Sequence, residues 1–412
     1  LSNILKDIIG SRSRHLAGRK IALCVTGSVA AVESPGLARE LMRHGADVYP
    51  VMSQASTRLI HPDLMEWASG NAPVLALTGR TEHIQLAGMW DEKVDLVLVA
   101  PATANTIGKI ACGIDDTPVT TVVSTAMGSG IPILIAPGMH ESLLLHPAVA
   151  GNIARLREMG VAFAESRMEE SKAKIASIEE LVDMVLLILS EKKLQGKRVI
   201  ITAGPTVEYI DPVRTLSNRS SGRMGVALAR EARRLGGSVT LIYGPGSVPP
   251  PPGVDLFRVV TTAEMLRSLR DALGRAPETN FFIAAAAVAD FRPVRSGNKK
   301  ISTRSASALT LELEPTPKLI EEVKRLSPGT FLAAFKAEYA VKEEDMRRAS
   351  RDLIKRTGAD LVVANDVSRP GAGFEAETNE VTLYTPGGAA FAVPSASKDE
   401  IARAVWNFIL GG

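Results

Sequence analysis

Two stretches of this chain open alike, and that likeness constrains the fold more than any other feature. LAGRKIALCVTGSVAAVES begins at Leu16 and LQGKRVIITAGPTVEYIDP begins at Leu194. Each puts a glycine and basic residues ahead of an unbroken run of mostly branched apolar side chains, then stops at a turn of small residues. An apolar run without polar alternation fits a parallel strand covered on both faces. Two such first strands predict two α/β units. The boundary falls in SEKKLQGK, residues 190–197, a polar stretch after the helical pattern SIEELVDMVLLIL. The expected domains are 1–190 and 191–412.

Strand and helix patterns alternate through both units. In the first, strands are expected at 20–26, 46–52, 94–100, 131–136 and 161–164, with helices at 30–44, 53–60, 103–113 and 140–158. A leading helix is read in LSNILKDIIGSRSRHLAGRK. In the second, strands are expected at 198–203, 238–243, 255–260, 280–286, 330–335, 360–364, 380–384 and 389–393. Its helices are expected at 222–235, 262–274, 317–326, 340–356 and 397–409. Such alternation needs βαβ crossovers, so each unit is read as a doubly wound, Rossmann-like, three-layer α/β fold. Ligands of such sheets bind beyond the carboxyl ends of the strands. Those ends carry TGS (26–28), MSQAS (52–56), APATAN (100–105) and APGMH (136–140) in the first unit. In the second they carry TAGPT (202–206), AAAAVADF (284–291), AFKAE (334–338) and ANDVS (364–368).

The chain has 48 basic and 45 acidic residues, a net charge of +3, and 4% aromatics. That balance argues against a nucleic-acid surface built on bulk charge or stacked rings. No apolar run approaches the roughly 20 residues that span a bilayer, so no membrane partner is expected. Cys24 and Cys112 are too few and too far apart for a disulfide framework or a zinc knuckle, which predicts a cytoplasmic address.

Small residues at a helix start let backbone N–H groups approach an anion. TGSVAAVES has that character without being a complete dinucleotide fingerprint or a Walker loop, and a tight packing turn would look the same. PATANTIGKIACGIDD (101–116) adds one hydroxyl and one amide at a strand end, which suits a flat ring with a phosphate tail. Ser220, Ser221 and Gly222 precede a helix near Arg223, and hydroxyls with free N–H groups there bind phosphate. Simple serine capping is the plainer account, but it leaves Arg214, Asn218 and Arg219 unexplained. His140 and His146 are six apart, not the i, i+4 spacing of a helical metal pair, so a metal site is rejected there.

On VTGSVAA, PATANTIGKIACGIDD and the turn at Pro137–Met139, residues from about Gly18 to Leu189 resemble the homo-oligomeric flavin-containing cysteine decarboxylases. On ITAGPTVEYIDPVRTLSNRSSGRMG, AAAVADF, KKI, FKAE and ADLVVANDVS, residues from about Gly196 onward resemble phosphopantothenate–cysteine ligase. Together the halves resemble the bifunctional phosphopantothenoylcysteine decarboxylase/phosphopantothenate–cysteine ligase family of coenzyme A biosynthesis, in an archaeal-like variant. The resemblance implies a flavodoxin-like flavoprotein fold followed by a nucleotide-binding fold.

It also implies roles. Gly27, Ser28, Ser53, Pro101, Ala102, Thr103 and Asn105 would bind FMN. His83, in HIQL, would be catalytic in the decarboxylase half. In the ligase half, Asn218 and Arg214 would act on an acyl-cytidylate made from 4′-phosphopantothenate and CTP before cysteine attacks. Ser220, Ser221, Gly222, Ala284, Ala285, Ala286, Asp290, Lys300, Pro317, Lys318, Phe335 and Lys355 would bind the substrates, with Mg²⁺ accompanying the triphosphate; its protein ligands stay unassigned. The halves of the family assemble as trimers and dimers, so a closed homo-oligomer, a dodecamer in the simplest case, is implied.

Two positions depart from the family. His140 stands where many members keep a carboxylate-binding asparagine. SRMEESKAKIAS (166–177) has no flap cysteine, so Lys174 or Lys172 is read as the substitute acid. Two other readings stay open at this point. One is an active ligase with a flavin half that serves only as a scaffold. The other is a Rossmann-type oxidoreductase or nucleotide sensor, which the missing G-x-G-x-x-G disfavours.

Overall fold

The computed structural model describes residues 7–165, 167–169, 172–275, 278–301, 309–369, 371, 373 and 375–411, with only the backbone at 167–169 and 172–174. The chain divides into two compact units between Ser190 and Glu191.

The first unit is built on a parallel sheet of β1 (Lys20–Val25), β2 (Asp47–Met52), β3 (Leu96–Ala102), β4 (Ile133–Pro137) and β5 (Ala162–Phe163), in the order β2-β1-β3-β4-β5. This is the flavodoxin-like order, and its switch point lies between β1 and β3. Every residue of β3, LVLVAPA, is buried, as a central strand covered on both faces requires. A short antiparallel hairpin follows, β6 (Arg167–Glu169) with β7 (Lys172–Lys174).

The helices of this unit are α1 (Ser34–Arg43), α2 (Pro62–Ser69), α3 (Glu82–Ala87), α4 (Ala104–Cys112), α5 (Pro118–Gly128), α6 (Glu141–Leu144), α7 (Pro147–Glu158) and α8 (Ile178–Leu189). Several differ from the sequence expectation for identifiable reasons. The helix expected at 53–60 is a single tight turn at Ser56–Arg58, and the helix proper starts at Pro62, where a missing N–H costs nothing. The helix expected at 140–158 is broken at Pro147, and His146 caps the second piece. Helix α5 was not expected because its valines and threonines favour strands. A reciprocal cap between Thr117 and Thr120 starts it, and burial of Val119, Val122 and Val123 holds it. The described part of the leading segment, residues 7–19, forms turns, not a helix. Its N–H groups bind the last carbonyls of α1, with Gly10 on Met42, Arg12 on Arg43 and Leu16 on His44.

The second unit contains β8 (Arg198–Ala203), β9 (Val207–Tyr209), β10 (Thr215–Ser217), β11 (Ser238–Tyr243), β12 (Asp255–Arg258), β13 (Phe281–Ala284), β14 (Phe291–Pro293), β15 (Leu313–Pro315), β16 (Phe331–Glu338), β17 (Leu361–Asp366), β18 (Thr378–Tyr384) and β19 (Ala390–Ser397). The main sheet runs β12-β11-β8-β13-β16-β17-β18-β19. Its first six strands are parallel and the last two form an antiparallel edge. Strand order reverses between β8 and β13, which opens a crevice there. Two small hairpins, β9 with β10 and β14 with β15, were absent from the sequence expectation. Three-residue strands carry too little pattern to be read.

The helices of the second unit are α9 (Arg223–Arg234), α10 (Thr262–Arg275), α11 (Leu319–Leu326), α12 (Glu343–Thr357) and α13 (Lys398–Ile409). Helices α9 and α13 meet over one face of the sheet. Trp406 is fully buried there, its indole N–H donating to the Leu228 carbonyl at 3.0 Å and its ring edge-on to Phe281. That hydrogen bond makes so large a burial affordable.

Candidate active sites

In the first unit, three strand ends converge. The Thr26 hydroxyl, just past β1, donates to the Pro101 carbonyl at 2.8 Å and accepts from the Thr103 N–H at 3.0 Å. The Gly138 N–H donates to the Ala102 carbonyl at 2.9 Å, joining the end of β4 to that of β3. A Cβ on Gly138 would stand 2.6 Å from the Pro101 ring and 3.2 Å from Ser28 Oγ, so only glycine lets these turns meet. The result is a rim of backbone and small side chains at the β1/β3 switch point. Gly27, Ser28, Pro101, Ala102 and Thr103 all lie on it. Thr103 caps α4 through the Thr106 N–H, and Asn105 is exposed on the first turn. Ser53 is buried after β2, its N–H on the Val25 carbonyl.

His83 sits on α3, and its Nδ1 is buried without a hydrogen-bond partner among the described residues. A buried polar atom of this kind is costly unless something outside the chain meets it. His140 caps α6, with Nδ1 2.9 Å from Ser142 Oγ and accepting from the Ser142 N–H at 3.3 Å. His146 caps α7 in the same manner. Each of these two histidines therefore has a local structural task. The side chain of Lys174 lies outside the described residues, as does that of Lys172; both belong to β7. Burial pushes the Cys24 thiol up to about 12, so it stays protonated on β1.

In the second unit a cavity of about 420 Å³ opens at the β8/β13 crevice. Asn218, Ser220, Ser221, Gly222, Ala284, Ala285, Ala286, Asp290, Pro317, Lys318 and Phe335 all line it. Gly222 is left-handed at φ +78°, and a Cβ there would meet the Tyr243 ring at 2.6 Å. That glycine lets the loop turn into α9, where the Gly222 N–H donates to Ser220 Oγ at 3.3 Å and the Arg223 N–H to Ser221 Oγ at 3.4 Å. The Asn218 amide donates to the carbonyls of Ala287 at 3.0 Å and Val288 at 3.2 Å, tying the loop to the segment after β13. Lys318 and Asp290 form an ion pair.

Three expected residues are not on the cavity wall. Lys355 lies on α12 two positions past Leu353, which does line the cavity. Two positions are about 200° around a helix, so Lys355 is turned outward. Arg214 and Lys300 stand elsewhere, in segments joined through Asp211. The buried Asp211 carboxylate accepts from the N–H groups of Val213 and Arg214 at 2.7 Å and of Ile301 at 3.1 Å, and from the Arg214 guanidinium at 2.6 Å. Burial by itself would raise its pKa, but these donors outweigh burial and hold it down at about 2. The Arg214 guanidinium also donates to the Ile301 carbonyl at 3.1 Å.

The sequence reading missed Asp211, Arg223 and Lys398. The last two line the cavity. Lys398 is 5% exposed, and burial with the Arg223 charge nearby brings its ammonium down to about 8. Arg223 lay inside the SSGRMG motif and was read only as a helix start. SASKDE carries no signal beyond a helix cap. Among the described residues no group of three or more His, Cys, Asp and Glu side chains could hold a metal ion. No described helix is long and apolar enough to cross a membrane.

Comparison with known proteins matches this two-part architecture. Residues 9–190 match the family model described as flavoprotein, and residues 194–411 match that of the DNA/pantothenate metabolism flavoprotein C-terminal domain. The chain is 51% identical to the coenzyme A biosynthesis bifunctional protein CoaBC of Thermococcus kodakarensis over 98% of both chains. It is 37% identical to the protein of the same name from Methanocaldococcus jannaschii, over 88% of this chain and 87% of that one. A crystal structure of the C-terminal domain of such a protein covers 54% of this chain and 97% of its own at 32% identity, with a TM-score of 0.44. With both family models matched and a relative aligned over nearly its whole length, the chain belongs to the family of coenzyme A biosynthesis bifunctional proteins, and it is an enzyme.

Proposed function

We propose that residues 191–412 ligate cysteine to 4′-phosphopantothenate at the expense of CTP, and that residues 1–190 decarboxylate the product with FMN. The observation that carries the ligase assignment is the cavity at the β8/β13 switch point. It joins a phosphate-type helix start to a wall of alanines that lets a nucleoside approach the backbone. Phe335 packs against the base, and the Lys318–Asp290 pair meets its polar groups. The substrate carboxylate, a poor electrophile, is activated as the acyl-cytidylate. Asn218 stabilises that species once its amide exchanges a backbone carbonyl for the substrate. Arg214 and Lys300, joined through Asp211 and off the wall of this cavity, would supply cations from outside it where two oxyanions approach each other. Mg²⁺ would accompany the triphosphate and neutralise part of its charge, and Asp290 is the one acid among the described lining residues that could help hold it.

The rim of Gly27, Ser28, Pro101, Ala102 and Thr103, with Ser53 and Asn105, fits a flavin phosphate and ring. It lies where flavodoxin-like sheets bind FMN. Bound FMN supplies the electron sink that loss of CO₂ from a saturated carbon requires. His83 moves the protons, and its unpartnered Nδ1 supports that role. His140 holds the substrate carboxylate while capping α6, and Lys174 or Lys172 returns a proton in place of the absent flap cysteine. The exposed Ile84, Met89 and Trp90 next to His83 support a subunit contact there. The assembly would be a closed homo-oligomer, a dodecamer in the simplest case, working in the cytoplasm.

The relatives match both halves over nearly their full length, so a flavin half that serves only as a scaffold gains no support. A coupled assay tests the whole reading. Purified protein is yellow, consumes CTP with 4′-phosphopantothenate and cysteine, and releases CO₂. A colourless protein that uses CTP without releasing CO₂ would overturn the decarboxylase half.

A further inference from the structure

Strand β13 stops at Ala284, but the hydrogen-bond series it shares with β8 runs on past both strand ends. The Ala285 N–H donates to the Thr202 carbonyl at 3.1 Å and the Ala287 N–H to the Gly204 carbonyl at 2.9 Å. The next donor in this series of alternate residues is the Ala289 N–H. It is met at 2.8 Å by the hydroxyl of Thr206, not by a backbone carbonyl. The Thr206 carbonyl is engaged elsewhere, accepting from the Ser217 hydroxyl at 2.8 Å. Ala289 is 5% exposed and Thr206 wholly buried, so this N–H depends on that one side chain for its partner.

The other end of the same peptide supports Asn218. The Ala289 N–H and the Val288 carbonyl belong to one planar unit. Thr206 holds its N–H, and the Asn218 amide donates to its carbonyl at 3.2 Å. The second acceptor of Asn218, the Ala287 carbonyl, also takes the backbone N–H of Thr206, at 3.2 Å. Both peptides on which the Asn218 amide rests are thus held by Thr206. Its hydroxyl lies 3.0 Å from that of Thr262, the buried first residue of α10. Thr316 secures the far side of Ala289. Its hydroxyl donates to the Ala289 carbonyl, and its N–H donates to the Asp290 carbonyl at 2.9 Å.

We propose that Thr206 is a positioning residue of the ligase, whose hydroxyl fixes the peptide that aims the Asn218 amide. The inference rests on the ligase reading above, in which Asn218 stabilises the acyl-cytidylate. Without the hydroxyl, the Ala289 N–H is buried with no acceptor. The planar peptide then turns to find one and carries the Val288 carbonyl with it. Asn218 loses its direction, and misplacement of a group that acts on the reacting atoms reduces turnover. The nucleotide wall is affected less, because Ala284 and Ala285 are held by Thr202 instead.

Steady-state ligation, calorimetric titration with CTP and thermal melting of the full chain test this in Thr206→Val and Thr206→Ser. Valine keeps the shape and removes the hydroxyl, whereas serine keeps the hydroxyl. Thr206→Val should lower kcat for ligation at least about tenfold, while CTP affinity changes by less than about twofold. Thr206→Ser should bring kcat back to within about threefold of the wild type. A lower melting temperature with kcat unchanged, equal losses of kcat and CTP affinity, or no recovery in Thr206→Ser would overturn the inference. Should Thr206→Val not fold, Thr206→Ala set against Thr206→Ser makes the same comparison, since that pair differs only by the hydroxyl. A wild-type chain that ligates no cysteine with CTP would overturn the ligase reading itself, a result separate from any difference between variants.

Discussion

Asp211 receives the guanidinium of Arg214, three residues on, at 2.6 Å from a position with its own carboxylate buried. The same carboxylate takes the Ile301 N–H, so one side chain joins the turn between β9 and β10 to the segment that carries Lys300. Asp211→Asn removes the charge and turns an amide NH₂ toward two of those donors, since each carboxylate oxygen accepts two of them. The expected result is a lower melting temperature and a loss of ligation, with decarboxylation of added 4′-phosphopantothenoylcysteine preserved.

The same carboxylate sets an acid limit. Its pKa is lowered from 3.8 to about 2 in the folded protein. A lowered folded value contributes stability that is fully present above the unfolded value and disappears as pH falls through the folded one. Melting temperature should therefore drop between about pH 4 and pH 2, and the slope in that window should be shallower in Asp211→Asn. Thermal scans across that range decide it; parallel curves would remove Asp211 as the cause.

His83→Ala should reduce CO₂ release by at least about a hundredfold, the usual loss of a positioned acid–base group. The flavin spectrum and CTP-dependent ligation should be retained. Loss of the bound flavin together with activity would make His83 a binding residue instead.

His140 has two proposed tasks that one pair of variants separates. Asparagine is as good a helix cap as any residue and can also donate to a carboxylate. His140→Asn should keep decarboxylation. His140→Ala should lose about 1 kcal/mol of local stability with the cap and raise the KM for the phosphopantothenoylcysteine substrate. Inactive His140→Asn with flavin in place would show that the imidazole itself transfers a proton.

Gly222→Ala places a Cβ at a left-handed position, at a cost of about 1–2 kcal/mol, and against the Tyr243 ring. The loop into α9 must move. CTP binding should fall sharply while the flavin absorbance is unaffected; calorimetry and the visible spectrum report the two halves separately.

Lys172→Ala and Lys174→Ala test the proton donor of the decarboxylase half. One of them should release CO₂ while failing to release the final reduced thiol. Normal thiol release by both would reject lysine in that role.

Much of the layout was legible in the residues alone. Apolar runs such as VIITA and LVLVA have one environment in which every side chain is buried, a central parallel strand, and their alternation with helical patterns dictated two doubly wound sheets. Glycine and hydroxyl residues at strand ends pointed to the two candidate rims for the same local reason, because only small side chains let backbone N–H groups face a ligand. What stayed hidden depends on residues distant in sequence. Lys398 reads as a solvated helix start and becomes a buried cation only because α13 packs beside α9. Asp211 reads as a turn residue until Ile301 arrives from 90 positions away to share its carboxylate. Helix α5 was not expected from the sequence at all, because burial of its valines overrides their strand preference. Propensity and pattern act over a few neighbouring residues, whereas burial, charge and hydrogen-bond partnership are settled by whichever segments the sheet order brings together.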